Sequence, residues 1–217
     1  MYKWTTTDKI LSVGFDLEDK ELSDLKNWFH SLWPNNYNLP PHVGLVMLPL
    51  ADDQDRQAFD ISLDFVKKWQ HPQTRIQQIS FETNRDKETF VKLQLDKSWL
   101  ADQHNKLLDR LTQLRPNGLV RDKDIERINA GKYSQEELDV IFHSGFIRSR
   151  KFYDSHITLG LISKEFWSEQ VMEQVSQKIS SFTNHLIELN HVHVIYHTSP
   201  SNQADIQTIA RQDVTLG

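Results

Sequence analysis

A chain of 217 residues, 38% hydrophobic and 25% charged, is long enough to bury a sizeable core and too apolar for a disordered polymer. Its formal charge of −5 at pH 7 argues against an extended surface for long duplex nucleic acid, which needs many phosphate-neutralising cations, yet allows a local phosphate pocket. The lack of cysteine excludes disulfides, thiolate zinc sites and cysteine nucleophiles. MYKWTTTDKI has no signal-like apolar segment, and no run approaches the roughly 18 apolar residues of a membrane span. The expectation is a cytoplasmic protein with no membrane partner, monomeric by default.

Residues 10–17 (ILSVGFDL) predict a strand, and 18–33 a helix with Leu22, Leu25, Trp28, Phe29 and Leu32 on one side, broken by Pro34, Asn35 and Asn36. A second strand, His42 to Leu48, follows Pro40 and Pro41. Asp52 or Asp53 is the candidate cap of a helix reaching about Gln70. Residues 75–82 and 89–95 predict a strand pair around a polar NRDK turn, and 99–114 an amphipathic helix. Residues 115–150, with Pro116, Gly118, Gly131 and Gly145 among many charges, predict a loop-rich insertion over the surface, with a short helix near 133–142. Then come a strand over 153–162, a helix over 164–182, and two strands (HLIELNHVHVIYHT and IQTIARQDV) joined at SPSNQ. A strand carrying a His, then a helix, then a strand pair occurs twice, which suggests a duplicated α+β unit.

Those two histidine strands are PHVGLVML, from Pro41, and SHITLGL, from Ser155. Strict alternation places Val43, Leu45 and Met47 opposite His42, Gly44 and Val46, and Ile157, Leu159 and Leu161 opposite His156, Thr158 and Gly160. Side by side, the strands would face two imidazoles across one cleft. A neutral imidazole can take a proton from an attacking water while a protonated one gives a proton to the leaving oxygen, which suits phosphodiester chemistry without a metal.

In these residues the chain resembles the 2H phosphoesterase superfamily, which includes 2′-5′ RNA ligase-like proteins and RNA 2′,3′-cyclic phosphodiesterases. That signature is two copies of His-x-Ser/Thr-x in the halves of a pseudo-symmetric fold. His156-Ile157-Thr158-Leu159 matches it fully; His42-Val43-Gly44-Leu45 departs at the hydroxyl position. The resemblance implies an α+β fold of two antiparallel sheets flanked by helices around a central cleft. It would be one bilobal domain over 1–217, with the insertion at about 115–150. It implies His42 and His156 as the catalytic pair and Thr158 as a phosphate-oxygen donor, with Gly44 offering only its backbone. The implied substrate is a nucleotide, an oligonucleotide or an RNA end, with a 2′,3′-cyclic phosphate or a 2′-5′ linkage, and no cofactor or metal is implied. The symmetry leaves acid and base interchangeable.

Arg148 and Arg150, with Lys151, precede the second motif and could clamp a phosphate, though a solvated charge cluster explains them as well. Phe152 and Tyr153 could stack on a base; core packing is the commoner fate, and Tyr153 would need a bend before His156 to reach the cleft. His191, His193 and His197 alternate on one strand face. They could ligate zinc, but no ligand set is completed nearby, and an exposed strand face suffices. His143 is expected to face solvent. Walker A, GxGxxG, GxSxG and HExxH motifs are absent. Two alternatives stay open. In one the Gly44 departure marks a binding protein that holds a nucleotide or RNA end uncut. In the other the substrate is a signalling oligonucleotide, cyclic or 2′-5′ linked.

Overall fold

The computed structural model describes residues 2–34, 39–51, 53–83, 88–198 and 206–216. In chain order the elements are β1 (Thr5–Thr7), β2 (Lys9–Asp16), α1 (Lys20–Leu32), β3 (His42–Pro49), α2 (Asp55–Val66), β4 (Gln73–Thr83), β5 (Thr89–Leu95), α3 (Ser98–Leu111), β6 (Leu119–Arg121), α4 (Asp122–Asn129), α5 (Gln135–Ser144), β7 (His156–Ile162), α6 (Glu169–Ile179), β8 (Leu186–Glu188), β9 (His191–Thr198) and β10 (Thr208–Thr215). The NRDK and SPSNQ turns, Asp52, Asn35 and Asn36 lie outside the described residues. The helix expected to be capped by Asp52 or Asp53 begins at Asp55, with Gln54 at the cap and no side-chain cap bond.

Two four-stranded sheets dominate, in the orders β10-β9-β2-β3 and β7-β5-β4-β8. Their strand pairs are antiparallel. Both motif strands, β3 and β7, are therefore edge strands, and the two edges pack against each other. The helices are exchanged across that seam. Helix α1, which follows β2, packs on β7 of the other sheet, while α3, which follows β5, packs on β3. Helix α2 covers β2 and β9. Beneath the first sheet Phe15 stacks on Trp69, which meets Phe65 and Trp99 edge-on. The apolar core runs continuously through side chains from both sheets and from α1, α2, α3 and α6. No helix among the described residues is long and apolar enough to cross a membrane.

The strand expected over 153–162 begins at His156, and the helix expected over 164–182 is α6 flanked by 3₁₀ turns at Lys164–Phe166 and Ser180–Phe182. Two further expected elements differ. The segment HLIELNHVHVIYHT is two strands, not one. β8 pairs with β4 and β9 with β2, so the chain changes sheets between them. The break is fixed by backbone bonds outside the ladders: Leu189 N–H donates to the Pro72 carbonyl, and Leu216 N–H to that of Asn190. Residues 115–150 form a folded unit rather than a loop. β6 pairs in parallel with β1, and α4 and α5 follow it. Helix α5 has a capping box, Ser134 with Glu137, and ends at Gly145 with φ 75°. Phe142 packs on Tyr2 and Trp4, a contact between distant segments that local patterning does not display.

Arg115 ties this unit together. It is 5% exposed and donates to the carbonyls of His143 and Leu119. Burial holds its guanidinium down to about 10. Arg115→Met fills similar volume but leaves both carbonyls without their donor. It is expected to lower stability by about 1–3 kcal/mol, measured as the chemical denaturation midpoint; an unchanged midpoint would show that Arg115 does not anchor the unit.

Candidate functional site

Both motif strands depart from regular pairing at the same place. In the β2–β3 ladder Gly14 opposes Gly44 and Val13 opposes Val46, so Leu45 has no partner. In the β5–β7 ladder Lys92 opposes Thr158 and Val91 opposes Gly160, so Leu159 has none. Each is a β-bulge at the fourth residue of the motif, a device that bends a strand and re-aims its side chains. Strict alternation therefore fails beyond it. Met47, not Val46, shares the cleft-side row with His42 and Gly44, since its ladder partner is Ser12. Likewise Leu161 shares the row of Thr158, while Gly160 turns to the core side opposite Val91.

His42, Gly44, His156 and Thr158 all line one cleft of about 640 Å³. Each motif imidazole is oriented in the same way. Nδ1 of His42 lies 2.8 Å from the Pro40 carbonyl, and Nδ1 of His156 lies 2.9 Å from the Asp154 carbonyl. A carbonyl only accepts, so each Nδ1 carries a proton and each Nε2 is left for the cleft. Electrostatics then separates the two rings. Burial, reinforced by Lys26 and His193, holds His42 below the usual 6.5 despite the Pro40 bond and Asp16. Asp154 lies 3.2 Å from His156 Nδ1, and that hydrogen bond holds its carboxyl down to about 2, so a fixed anion faces His156.

The bulges are gripped by polar groups buried in the exchanged helices. Lys26 sits in the apolar stripe of α1, beside Leu22, Leu25 and Phe29. Its Nζ donates to the Thr158 carbonyl at 3.2 Å, and burial holds it down to about 8. His104 sits in the apolar stripe of α3. Its Nδ1–H donates to the Leu45 carbonyl at 2.7 Å, and its Nε2 accepts the Arg150 N–H at 3.1 Å. Tyr153 stacks on that ring at 4.2 Å and donates to the Gly44 carbonyl. Sequence reasoning missed Lys26 and His104. The available signal was a polar residue in register with an apolar helical stripe.

The remaining candidates divide. Arg148 lines the cleft and pairs with Glu82 at 2.9 Å. Arg150 does not line it: its backbone at φ 58° is held by His104, and its guanidinium turns to Asp109 on α3. Lys151 pairs with Glu136 outside the cleft, and its Nζ lies over the Phe152 ring. A 3₁₀ turn over Arg150–Phe152 supplies the bend that brings Tyr153 to the cleft wall, where its ring stacks on His104. His143 is exposed. His193 and His197 are not on a free strand face; they line the cleft, with Asp16, Ser12 and Arg211 around them. Nδ1 of His193 is 3.0 Å from Asp16. His197 Nδ1–H donates to the Thr198 carbonyl, leaving Nε2 to accept from Ser12 Oγ at 3.0 Å.

Comparison with solved structures bears on the fold. TT0787 of Thermus thermophilus matches with a TM-score of 0.52 at 9% identity, over 94% of this chain and 97% of that one. E. coli LigT complexed with 3′-AMP matches at 0.46 and 10% identity, over 96% and 99%. Kluyveromyces marxianus Usb1 with uridine monophosphate matches at 0.46 and 8%, also over 96% and 99%. No protein-family model matches the sequence, and no curated protein matches it. At 9% identity the likeness to TT0787 is one of fold alone: the chain has an α+β fold of antiparallel sheets flanked by helices, the class expected from its sequence.

His104 makes a pH signature. Burial holds its pKa down to about 4 from 6.5, so the native ring refuses a proton that the unfolded chain accepts in that window. Its contribution to stability is complete above about pH 6.5 and is lost as pH falls toward about 4. Denaturation midpoints of wild type and His104→Gln across pH 4–7 should differ in slope, the wild type falling more steeply toward acid; parallel curves would contradict a buried neutral His104.

Proposed function

We propose that this chain is a metal-independent phosphodiesterase of the 2H type. It hydrolyses a 2′,3′-cyclic phosphate or a 2′-5′ linkage of a nucleotide or RNA end. What supports this reading above all is the paired geometry: two bulged edge strands, each presenting an imidazole with Nδ1 bound to a carbonyl and Nε2 left for one shared cleft. Acid–base catalysis at phosphorus needs two such groups, and their opposed electrostatics suggest the roles.

His42, kept neutral by burial, is the base: Nε2 takes a proton from water as its oxygen attacks phosphorus. His156, with Asp154 as its counter-ion, is the acid: its Nε2 proton passes to the leaving ribose oxygen as the phosphorus–oxygen bond breaks. Water is added across that bond, and the proton gained by His42 balances the one lost by His156. Solvent exchange restores both rings. The Thr158 hydroxyl donates to a phosphate oxygen. Phe146 and Arg148, delivered to the cleft by the segment after α5, contact the nucleotide beyond the scissile phosphate, which gives the 115–150 unit a part in substrate choice.

The test is turnover of 2′,3′-cyclic mononucleotides, cyclic-phosphate-ended RNA and 2′-5′ dinucleotides in EDTA. Wild type should cleave at least one. His42→Ala and His156→Ala should each lose about 10²–10⁴-fold in rate. The profile should be bell-shaped, as a two-group acid–base site requires, and its acid limb should rise through a midpoint below 6.5 as His42 loses its proton. Variants as active as wild type would contradict the mechanism. Binding of these nucleotides without cleavage would favour the reading in which Gly44 marks a binding protein.

A further inference from the structure

The cleft is not symmetric, and the difference centres on Gly44. Opposite Thr158 in the second half stands Lys92. Opposite Gly44 stands Gly14, and opposite Gly14 stands His193, so one row crosses β3, β2 and β9 on the cleft side. The two glycines leave that row bare, and the His193 ring lies over it. A Cβ added at Gly14 would fall 2.8 Å from His193 Nε2 and 2.7 Å from the Val43 carbonyl oxygen. The imidazole thus lies over β2 at Gly14, the ladder partner of Gly44. At its other end Nδ1 lies in ion-pair contact with Asp16 Oδ1, at 3.0 Å. Asp16 in turn receives Arg211 Nη2 at 2.8 Å, and its carboxyl is held below the usual range, chiefly by the His193 imidazole beside it. Space at position 44 itself is open: a Cβ there would meet no atom within 4 Å.

We propose that His193, aimed across Gly14 by Asp16, is the phosphate-oxygen donor that the first motif lacks at Gly44. The proposal rests on the phosphodiesterase reading and deepens it. The phosphate is held by the Thr158 hydroxyl from one half and by His193 Nε2–H from the other. With the Asp16 carboxylate beside Nδ1 and a phosphate oxygen at Nε2, each ring nitrogen faces an acceptor. The titratable and charged groups around it are Asp16 on β2, His42 on β3, and on β10 its ladder partner Asp213 and Arg211, which pairs with both Asp16 and Asp213. Gly14 then has a defined purpose, because any side chain there would displace the ring.

The test is a rescue experiment. His193→Ala should lower kcat/KM on a 2′,3′-cyclic mononucleotide by about 10- to 100-fold, the scale of one charge-assisted hydrogen bond. Adding Gly44→Thr to that variant should recover most of the loss. A purely structural His193 would not be rescued by a hydroxyl on another strand. Turnover by His193→Ala equal to wild type overturns the proposal and leaves the phosphodiesterase reading standing. So does failure of Gly44→Thr to rescue a variant whose denaturation midpoint matches wild type. If wild type cleaves none of the substrates, the phosphodiesterase reading fails on its own, and the same variants are compared by calorimetric titration with inorganic phosphate. Weaker binding by His193→Ala, restored by Gly44→Thr, then supports the donor role; equal affinities, or no binding by wild type, overturn it.

Discussion

One unpaired residue in each motif strand decides what the cleft contains. With Leu45 and Leu159 outside their ladders, β3 and β7 bend at the seam between the sheets. The bends bring His42, Gly44 and Met47 onto one side of β3, and His156, Thr158 and Leu161 onto one side of β7. Because β3 and β7 are edge strands, carbonyls at the bends face helices and loops rather than a further strand, and a buried carbonyl needs a donor. The structure supplies one each time: Tyr153 for Gly44, His104 for Leu45 and Lys26 for Thr158.

The donors come from across the seam, and that is where fold and site become one problem. Lys26 rides on α1, which packs on the far sheet, and His104 rides on α3, which packs on the near one. Neither sheet can hold its motif strand in shape without a helix that follows a strand of the other. Burying a lysine and a histidine in apolar stripes is unfavourable on its own, as their depressed pKa values show, and is offset by the hydrogen bonds they make.

Much of this was legible in the sequence. The strand–helix order, the α+β class and the two histidine strands follow from alternation and helical spacing, because the core faces of β2 and α1 are regular. The bulges were not legible: Gly44-Leu45-Val46 and Thr158-Leu159-Gly160 read as unbroken alternation, and only the ladder shows the extra residue. The 189–190 break was hidden because Leu189 and Asn190 are satisfied by distant carbonyl and amide groups. His193 was visible as one of three alternating histidines. Its place in the cleft depended on a pairing between β9 and Gly14, at opposite ends of the chain, that local pattern does not carry.

The two rings are alike in tether and unlike in charge environment, as the proposed acid–base pair requires. The most direct test of that geometry is nitrogen-detected NMR of the histidine rings during titration with inorganic phosphate. The account predicts that His42 and His156 both keep Nδ1–H bonded to protein and that both respond at Nε2, in step, as phosphate binds. A response from only one ring, or a neutral ring carrying its proton on Nε2, would contradict a shared site between them.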